Sequence, residues 1–299
     1  MAQAEPTTVP PPRAGCPLCG AAERERLFTH DGWPIARCPG CSLVYVDAAV
    51  DREALEAIYG RDYYQGEVFG DYLGERAIRV ESARGRVAQI ARVAPGGTLL
   101  DVGCAAGFFL HAAAERYEVT GVEVSAFASA YAREEFGHRV FTGEIFDAPL
   151  ADAEFDVVTL WDVIEHLADP AAVMAEVARV TRPGGLVVLT TGDVRGPLAA
   201  RGLERWNLMT PPAHLSFFSP GTLERLLNAA GFELERLLAD GIVSPRPRLS
   251  GPLVRAAAGA LGIGNVMTVY ARRADDARPH PLRSRLPLRL RRRSHAGAA

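Results

Sequence analysis

From Thr98 onward, short apolar runs alternate with stretches of helical spacing, so strands and helices are expected to take turns along the chain. Strands are predicted at Thr98–Val102, Val119–Val124, Val140–Thr142, Phe155–Trp161, Leu186–Thr191, Leu234–Leu238 and Val266–Arg272. Helix punctuation lies between them. Asp169-Pro170 reads as an N-cap followed by proline at the first helical position, opening a helix to about Val180. Ser219-Pro220 repeats the signal ahead of Leu223–Ala230, and Gly231 is a natural stop. This alternation predicts an α/β domain with a parallel sheet and helices on both faces. Earlier, Arg52–Tyr59 and Asp71–Val93 have helical spacing, with the aromatic stretch Tyr63-Tyr64-Gln-Gly-Glu-Val-Phe69 between them.

The 299 residues suffice for one large domain and a small accessory module. Expected boundaries are a disordered segment at 1–12, a cysteine module at 13–47, a helical linker or lid at 48–94, the main domain at 95–275 and a disordered Arg-rich tail at 276–299. The formal net charge of −3 hides an asymmetry, because residues 278–299 carry seven arginines and no acid. The remainder is therefore acidic, which disfavours nucleic acid as a partner of the folded body. The tail itself reads either as a solvated segment or as a contact for nucleic acid or an anionic membrane. The first residues form no apolar leader, and no apolar run is long enough to span a bilayer. A cytoplasmic location is expected, where thiols stay reduced.

Four of the five cysteines form two C-x-x-C pairs, Cys16/Cys19 and Cys38/Cys41, separated by 18 residues. Each pair can wrap a tight turn around a metal, and four thiolates complete a closed tetrahedral zinc shell without a water position, so structural zinc is expected. The fifth, Cys104, lies inside a glycine turn and reads as a small packing residue or a reactive thiol.

That turn is the richest chemical signal. The run Leu99-Leu-Asp-Val-Gly-Cys-Ala-Ala-Gly-Phe-Phe-Leu110 passes from a strand through glycines into a helix, and Glu123 follows 20 residues after Gly103 in the next strand. Such a turn builds a nucleoside crevice in which backbone amides approach the ligand and the acid takes ribose hydroxyls. A dinucleotide fingerprint would need glycine at Ala105 and glycine or alanine at Phe108; the pattern here is Asp-x-Gly-x-x-x-Gly.

Together with Phe155-Asp-Val-Val-Thr-Leu-Trp-Asp-Val-Ile-Glu-His-Leu167 and Arg182-Pro-Gly-Gly-Leu-Val-Val-Leu189, residues 95–273 resemble the class I S-adenosylmethionine-dependent methyltransferases. The resemblance implies a Rossmann-like, seven-stranded, mostly parallel sheet with its last strand antiparallel, preceded here by a small zinc ribbon. It implies S-adenosylmethionine as methyl donor. Asp101 and Gly103 would hold its methionine end, Gly107 would let the first helix start close beneath, and Glu123 would bind the ribose. Glu144 and Ile145 would meet the adenine, and Tyr63 lies where relatives fold a lid. Ala105 departs from the loop's usual glycine.

His166 is the first candidate general base, because the Glu165-His166 turn follows a strand at its carboxyl end. Glu165 could orient that imidazole or bind a cation; the bland alternative has the pair closing the turn beneath the donor. His214, in Trp206-Asn-Leu-Met-Thr-Pro-Pro-Ala-His-Leu-Ser-Phe-Phe-Ser219, is a base, a substrate ligand or a loop-fixing hydrogen bonder. A zinc ribbon ahead of such a domain resembles enzymes that methylate sugars or small metabolites. Their carbon-methylating members take the base from a Glu-His or Tyr-Glu-His stretch; here the tyrosine is absent, with Val163 and Ile164 preceding Glu165, so a sugar or secondary-metabolite hydroxyl is expected at least as much as a carbon. The alternatives are an RNA methyltransferase using ribbon and tail, and a non-catalytic scaffold, which would have no need of Glu123.

Overall fold

The computed structural model describes residues 10–50, 72–240 and 264–275. The helix expected at Arg52–Tyr59, the lid residue Tyr63 and the tail at 276–299 lie outside the described residues. At the start of the described chain the Pro11 carbonyl accepts a hydrogen bond from Ala49 N at 2.8 Å.

Among the described elements, β1 (Glu25–His30), β2 (Trp33–Arg37) and β3 (Val44–Val46) form the cysteine module, and α1 (Arg76–Ile90) leads into the main domain. There follow β4 (Gly97–Val102), α2 (Phe108–Ala113), β5 (Tyr117–Glu123), α3 (Ala126–Phe136), β6 (Arg139–Thr142) and β7 (Phe155–Trp161). The chain continues through α4 (Pro170–Val180), β8 (Thr181–Gly192), β9 (Ser216–Phe217), α5 (Pro220–Ala229), β10 (Phe232–Asp240) and β11 (Val266–Arg273). The large sheet has seven strands in the order β10-β11-β8-β7-β4-β5-β6. β4 to β8 pair in parallel, and β11 runs antiparallel to both β8 and β10, as expected.

Strands of a sheet covered on both faces need apolar side chains at successive positions, which is why they read as unbroken runs. Their alternate residues divide between two cores. Leu99, Val157 and Val188 pack with Val80 and Val87 of α1 and Leu110 of α2. Leu100, Val158 and Val187 face the other way, against Val173 and Val177 of α4 and Leu223 and Leu227 of α5. Asp169 and Ser219 cap α4 and α5 as predicted, their side chains accepting from Ala172 N and Thr222 N. α1 is shorter than its periodicity suggests.

The cysteine module is joined to the main domain more closely than a preceding ribbon would be. Its sheet has the order β1-β2-β3-β9, and β9 comes from the segment after β8. Cys16, Cys38, Cys41, Leu43 and Tyr45 share one core with Phe218, Leu223 and Val173. No sequence signal announces this joint, because a two-residue strand has no periodicity to read. Among the described residues no helix is long and apolar enough to cross a membrane.

Candidate active site

The parallel strands β4 and β7 are neighbours whose chain order reverses between them, so a crevice opens at their carboxyl ends. A cavity of about 650 Å³ occupies it, lined by Asp101, Gly103, Glu123, Ile145, Trp161, Glu165, His166 and His214 among others. Every expected donor or catalytic residue within the described chain except Gly107 reaches this one cavity.

The loop after β4 has the geometry expected of a close backbone approach. Gly103 has φ +71°, and a Cβ there would lie 2.6 Å from Val163. Gly107 sits beneath rather than in the cavity: it caps α2 at φ +80°, where a Cβ would lie 2.8 Å from the Ala132 Cβ. Between them Ala105 adopts φ +48°, the left-handed region that L-residues enter at a cost. Its N–H donates to Glu123 Oε2 at 2.8 Å, which holds it there. Replacing Ala105 by glycine should relieve the strain, offset in part by extra unfolded-state entropy. A net gain of about 0.5–1 kcal/mol is expected, read as a rise of about 2 °C in thermal midpoint with donor affinity retained. Cys104 is buried beneath the loop against Gly121, which supports the packing reading.

Glu123 is 4% exposed; Oε2 accepts from Ala105 N and Oε1 from Ser125 N, both at 2.8 Å. Burial pushes its pKa up, while those backbone N–H groups pull it down. Each carboxylate oxygen keeps a second lone pair, so the fixed group can accept two hydroxyls. Asp101, 2% exposed, accepts from Thr159 Oγ1 at 2.7 Å. Burial pushes its carboxyl up to about 7, with Glu123 adding to the rise, while Thr159 and Arg86 oppose it. A cationic amine brought beside Asp101 would favour the ionised form. Binding of such a ligand should therefore weaken as pH falls below about 7, by up to tenfold per unit; calorimetric titrations between pH 5.5 and 8 check this.

At the far end Glu144 N and Asp147 Oδ2 close a 3-10 turn, Ile145–Asp147, whose buried Ile145 faces the cavity. Phe146, 50% exposed, also lines it. The reading from sequence missed Phe146 and two arginines of α1. Arg79 and Arg86 lie two helical turns apart and both line the cavity, Arg86 with its guanidinium 4.4 Å over the Trp161 ring. Their seven-residue spacing is the available signal, readable only once the helix is known to face the crevice.

On the opposite side lies the Glu165–His166 turn, with Glu165 and His166 in a 3-10 turn after β7. His166 Nδ1 lies 2.6 Å from Ala213 O, and His214 Nδ1 lies 2.7 Å from Leu208 O. A carbonyl can only accept, so each imidazole carries a proton on Nδ1; on His214 this leaves Nε2 as the basic nitrogen, whereas the His166 ring also bonds the Asp162 backbone. Their rings meet edge to face, with centroids 4.6 Å apart. Burial lowers both pKa values, which keeps both rings neutral near pH 7. Burial raises that of Glu165, and nearby Asp162 adds to the rise.

The cysteine module holds this corner in place. Leu215 N donates to Glu165 O at 2.8 Å, and Leu215 O accepts from Val46 N of β3 at 2.9 Å. In the module itself Cys16 Sγ and Cys41 Sγ are 3.5 Å apart, as are Cys19 and Cys38. That is far beyond a disulfide bond length and near the edge of a tetrahedral zinc–thiolate shell, which at a metal–sulfur distance of ~2.3 Å is about 3.8 Å. All four sulfurs lie within 4.8 Å of one another, so the donor set fits one zinc ion.

Residues 75–237 match the protein family described as "methyltransferase domain". The chain is 33% identical over 161 residues to the ubiquinone biosynthesis O-methyltransferase of Idiomarina loihiensis, a match covering 50% of this chain and 65% of that protein. It is 30% identical over 190 residues to the malonyl-[acyl-carrier protein] O-methyltransferase of Serratia marcescens, covering 60% and 68%. The chain thus spans about two thirds of the length of these relatives. Among solved structures it resembles the magnesium protoporphyrin IX methyltransferase of Synechocystis, solved with bound SAH. That likeness has TM-score 0.53 and 14% identity over 75% of this chain and all of that one, and it shows the fold.

Proposed function

The chain belongs to the methyltransferase-domain family of S-adenosylmethionine-dependent enzymes, and from that premise we propose that it methylates a hydroxyl of a small acceptor, a sugar or secondary metabolite. The observation that carries this reading is the convergence of Glu165, His166 and His214 on the same cavity as Asp101 and Glu123. When bound, the donor supplies an electrophilic methyl group on its sulfonium. Glu123 holds the ribose diol, Asp101 the donor's amine and Arg86 its carboxylate, while Ile145 and Phe146 flank the adenine. His214 Nε2, with His166 beside it, takes the acceptor's proton, and the apolar walls hold the acceptor oxygen in line.

The way the cysteine module is packed favours a small acceptor over RNA. Much of its interior is shared with the main domain, and residues 16–41 balance three arginines with three acids. Zinc on Cys16, Cys19, Cys38 and Cys41 has a structural role in this reading. A labelled-donor assay with active acceptor tests the base. His214→Ala is expected to lower kcat about 10²-fold or more with donor affinity unchanged. Unaltered turnover in both His214→Ala and His166→Ala would remove the imidazoles from the chemistry.

A further inference from the structure

Arg79, Ser82 and Arg86 line the cavity as one stripe of α1, at positions i, i+3 and i+7. The helix ends beside the amino edge of the sheet, where Tyr117, the first residue of β5, donates to Ala94 O. Its earlier turns therefore lie toward the carboxyl edge, and Arg79 is about 10 Å nearer the cavity mouth than Arg86. From this placement we infer that Arg79 selects the acceptor by receiving an oxyanion, a phosphate or a carboxylate, which the acceptor carries away from its reacting hydroxyl. The inference rests on the functional reading above and names the class of acceptor.

S-adenosylmethionine brings one carboxylate, and the cavity wall offers two guanidinium groups. Arg86 is the one beside the donor's amino-acid end. It lies over the Trp161 ring, approaches Asp162 Oδ2 at 4.0 Å, and its charge reaches Asp101. A carboxylate held there is too far from the guanidinium two turns away, so Arg79 is left for a second anion.

The surroundings of Arg79 suit that role. Its guanidinium lies 3.8 Å over the Tyr72 ring, and Tyr72 stacks on Phe108 with centroids 5.6 Å apart. Stacking holds the group by its faces and leaves the donors along its edge, the fork that matches a phosphate or carboxylate. Among the described residues Nε has no hydrogen-bond partner, and Nη2 bonds Glu75 Oε2 at 2.7 Å. Glu75 is exposed one turn back on the same helix, and a surface pair of this spacing is weak enough to yield to a ligand.

The wall that follows β7 carries the opposite charge, with Asp162 and Asp169 bordering the cavity. An acceptor bearing an anion is therefore repelled there and drawn to α1, which leaves its hydroxyl toward His214. A neutral acceptor gains nothing from Arg79 and enters without that orientation.

The test runs the full-length chain with labelled donor on small-metabolite fractions and separates the products by anion exchange at pH 8. The labelled product is expected to be retained. Phosphodiesterase and phosphatase together release it if the anion is a phosphate and leave it bound if the anion is a carboxylate. Arg79→Gln should raise the acceptor KM at least tenfold with kcat within about twofold, and Arg79→Lys should recover part of that loss. S-adenosylmethionine affinity should stay within about twofold of wild type in both variants. A labelled product that passes through the column overturns the inference, as does an unchanged KM in Arg79→Gln. Loss of donor affinity in that variant also overturns it, by assigning Arg79 to the donor. Donor binding by the wild-type chain keeps the readings apart: its absence sinks the methyl-transfer reading, whereas a neutral labelled product sinks the anion site alone. Where donor binds and no fraction is labelled, titration of the chain loaded with S-adenosylhomocysteine decides, using inorganic phosphate and malonate in turn. One saturable site per chain for either anion, lost in Arg79→Gln, supports the inference, and equal uptake by both chains overturns it.

Discussion

Glu123→Ala is expected to reduce affinity for S-adenosylmethionine at least 100-fold while the chain stays folded. Each hydroxyl held by a carboxylate contributes about 1.5–3 kcal/mol, so two contacts correspond to a loss of about 3 kcal/mol or more. The same truncation leaves Ala105 N and Ser125 N without their acceptor. Ala105, already at φ +48°, then has nothing to hold the loop against the cavity wall, so the donor's approach suffers as well as its ribose contact. Glu123→Gln preserves volume but turns an amide NH₂ toward one of those N–H donors, and it should fall between wild type and Glu123→Ala. Calorimetric titration beside thermal unfolding checks both variants. A folded Glu123→Ala chain that binds the donor as tightly as wild type would contradict the assignment.

Removing zinc is expected to damage acceptor turnover far more than donor binding. The path from thiolates to chemistry is short: the module's β3 bonds Leu215 through Val46 N, and Leu215 N bonds the backbone of Glu165. Ala213 and His214 immediately precede Leu215, and Ala213 O is the acceptor that orients His166. The donor's ligands Asp101 and Glu123 instead sit on β4 and β5, built into the large sheet. Binding a structural zinc is worth about 10–16 kcal/mol in small domains, enough that its loss should unfold the module. Cys38→Ser, or chelation of the wild-type chain, should lower kcat/KM for the acceptor about 10²-fold or more. S-adenosylmethionine affinity should change no more than a few-fold. Zinc content by atomic absorption, paired with the two binding measurements, separates this from global unfolding, in which both affinities would disappear together.

The sheet was readable in the sequence because its strands are buried on both faces and therefore appear as apolar runs. Its order and its antiparallel final strand came with the family resemblance, not with periodicity. Helix caps were readable for a similar reason: Asp169-Pro170 and Ser219-Pro220 solve the problem of unpaired N–H groups with local chemistry. Asp101, Glu123, Glu165 and His166 stood out because each closes a strand or turn at the carboxyl edge. What escaped was long-range. β9 is two residues long, yet it ties the cysteine module to the corner bearing His214. Arg79, Arg86 and Phe146 are ordinary surface residue types in ordinary places, and only the packing of α1 and the turn after β6 aims them at the cavity. Ala105 fell between these cases: its departure from glycine was visible, and the hydrogen bond to Glu123 that compensates for it was not.

The central claim is that the cleft transfers a methyl group to the hydroxyl of a small acceptor. The most direct measurement incubates the full-length chain with methyl-labelled S-adenosylmethionine and separate fractions of sugar nucleotides, small metabolites and RNA. Label is expected in the small-molecule fractions as a base-stable methyl ether, and to be lost with Glu123→Ala. Label found in RNA alone would contradict the account.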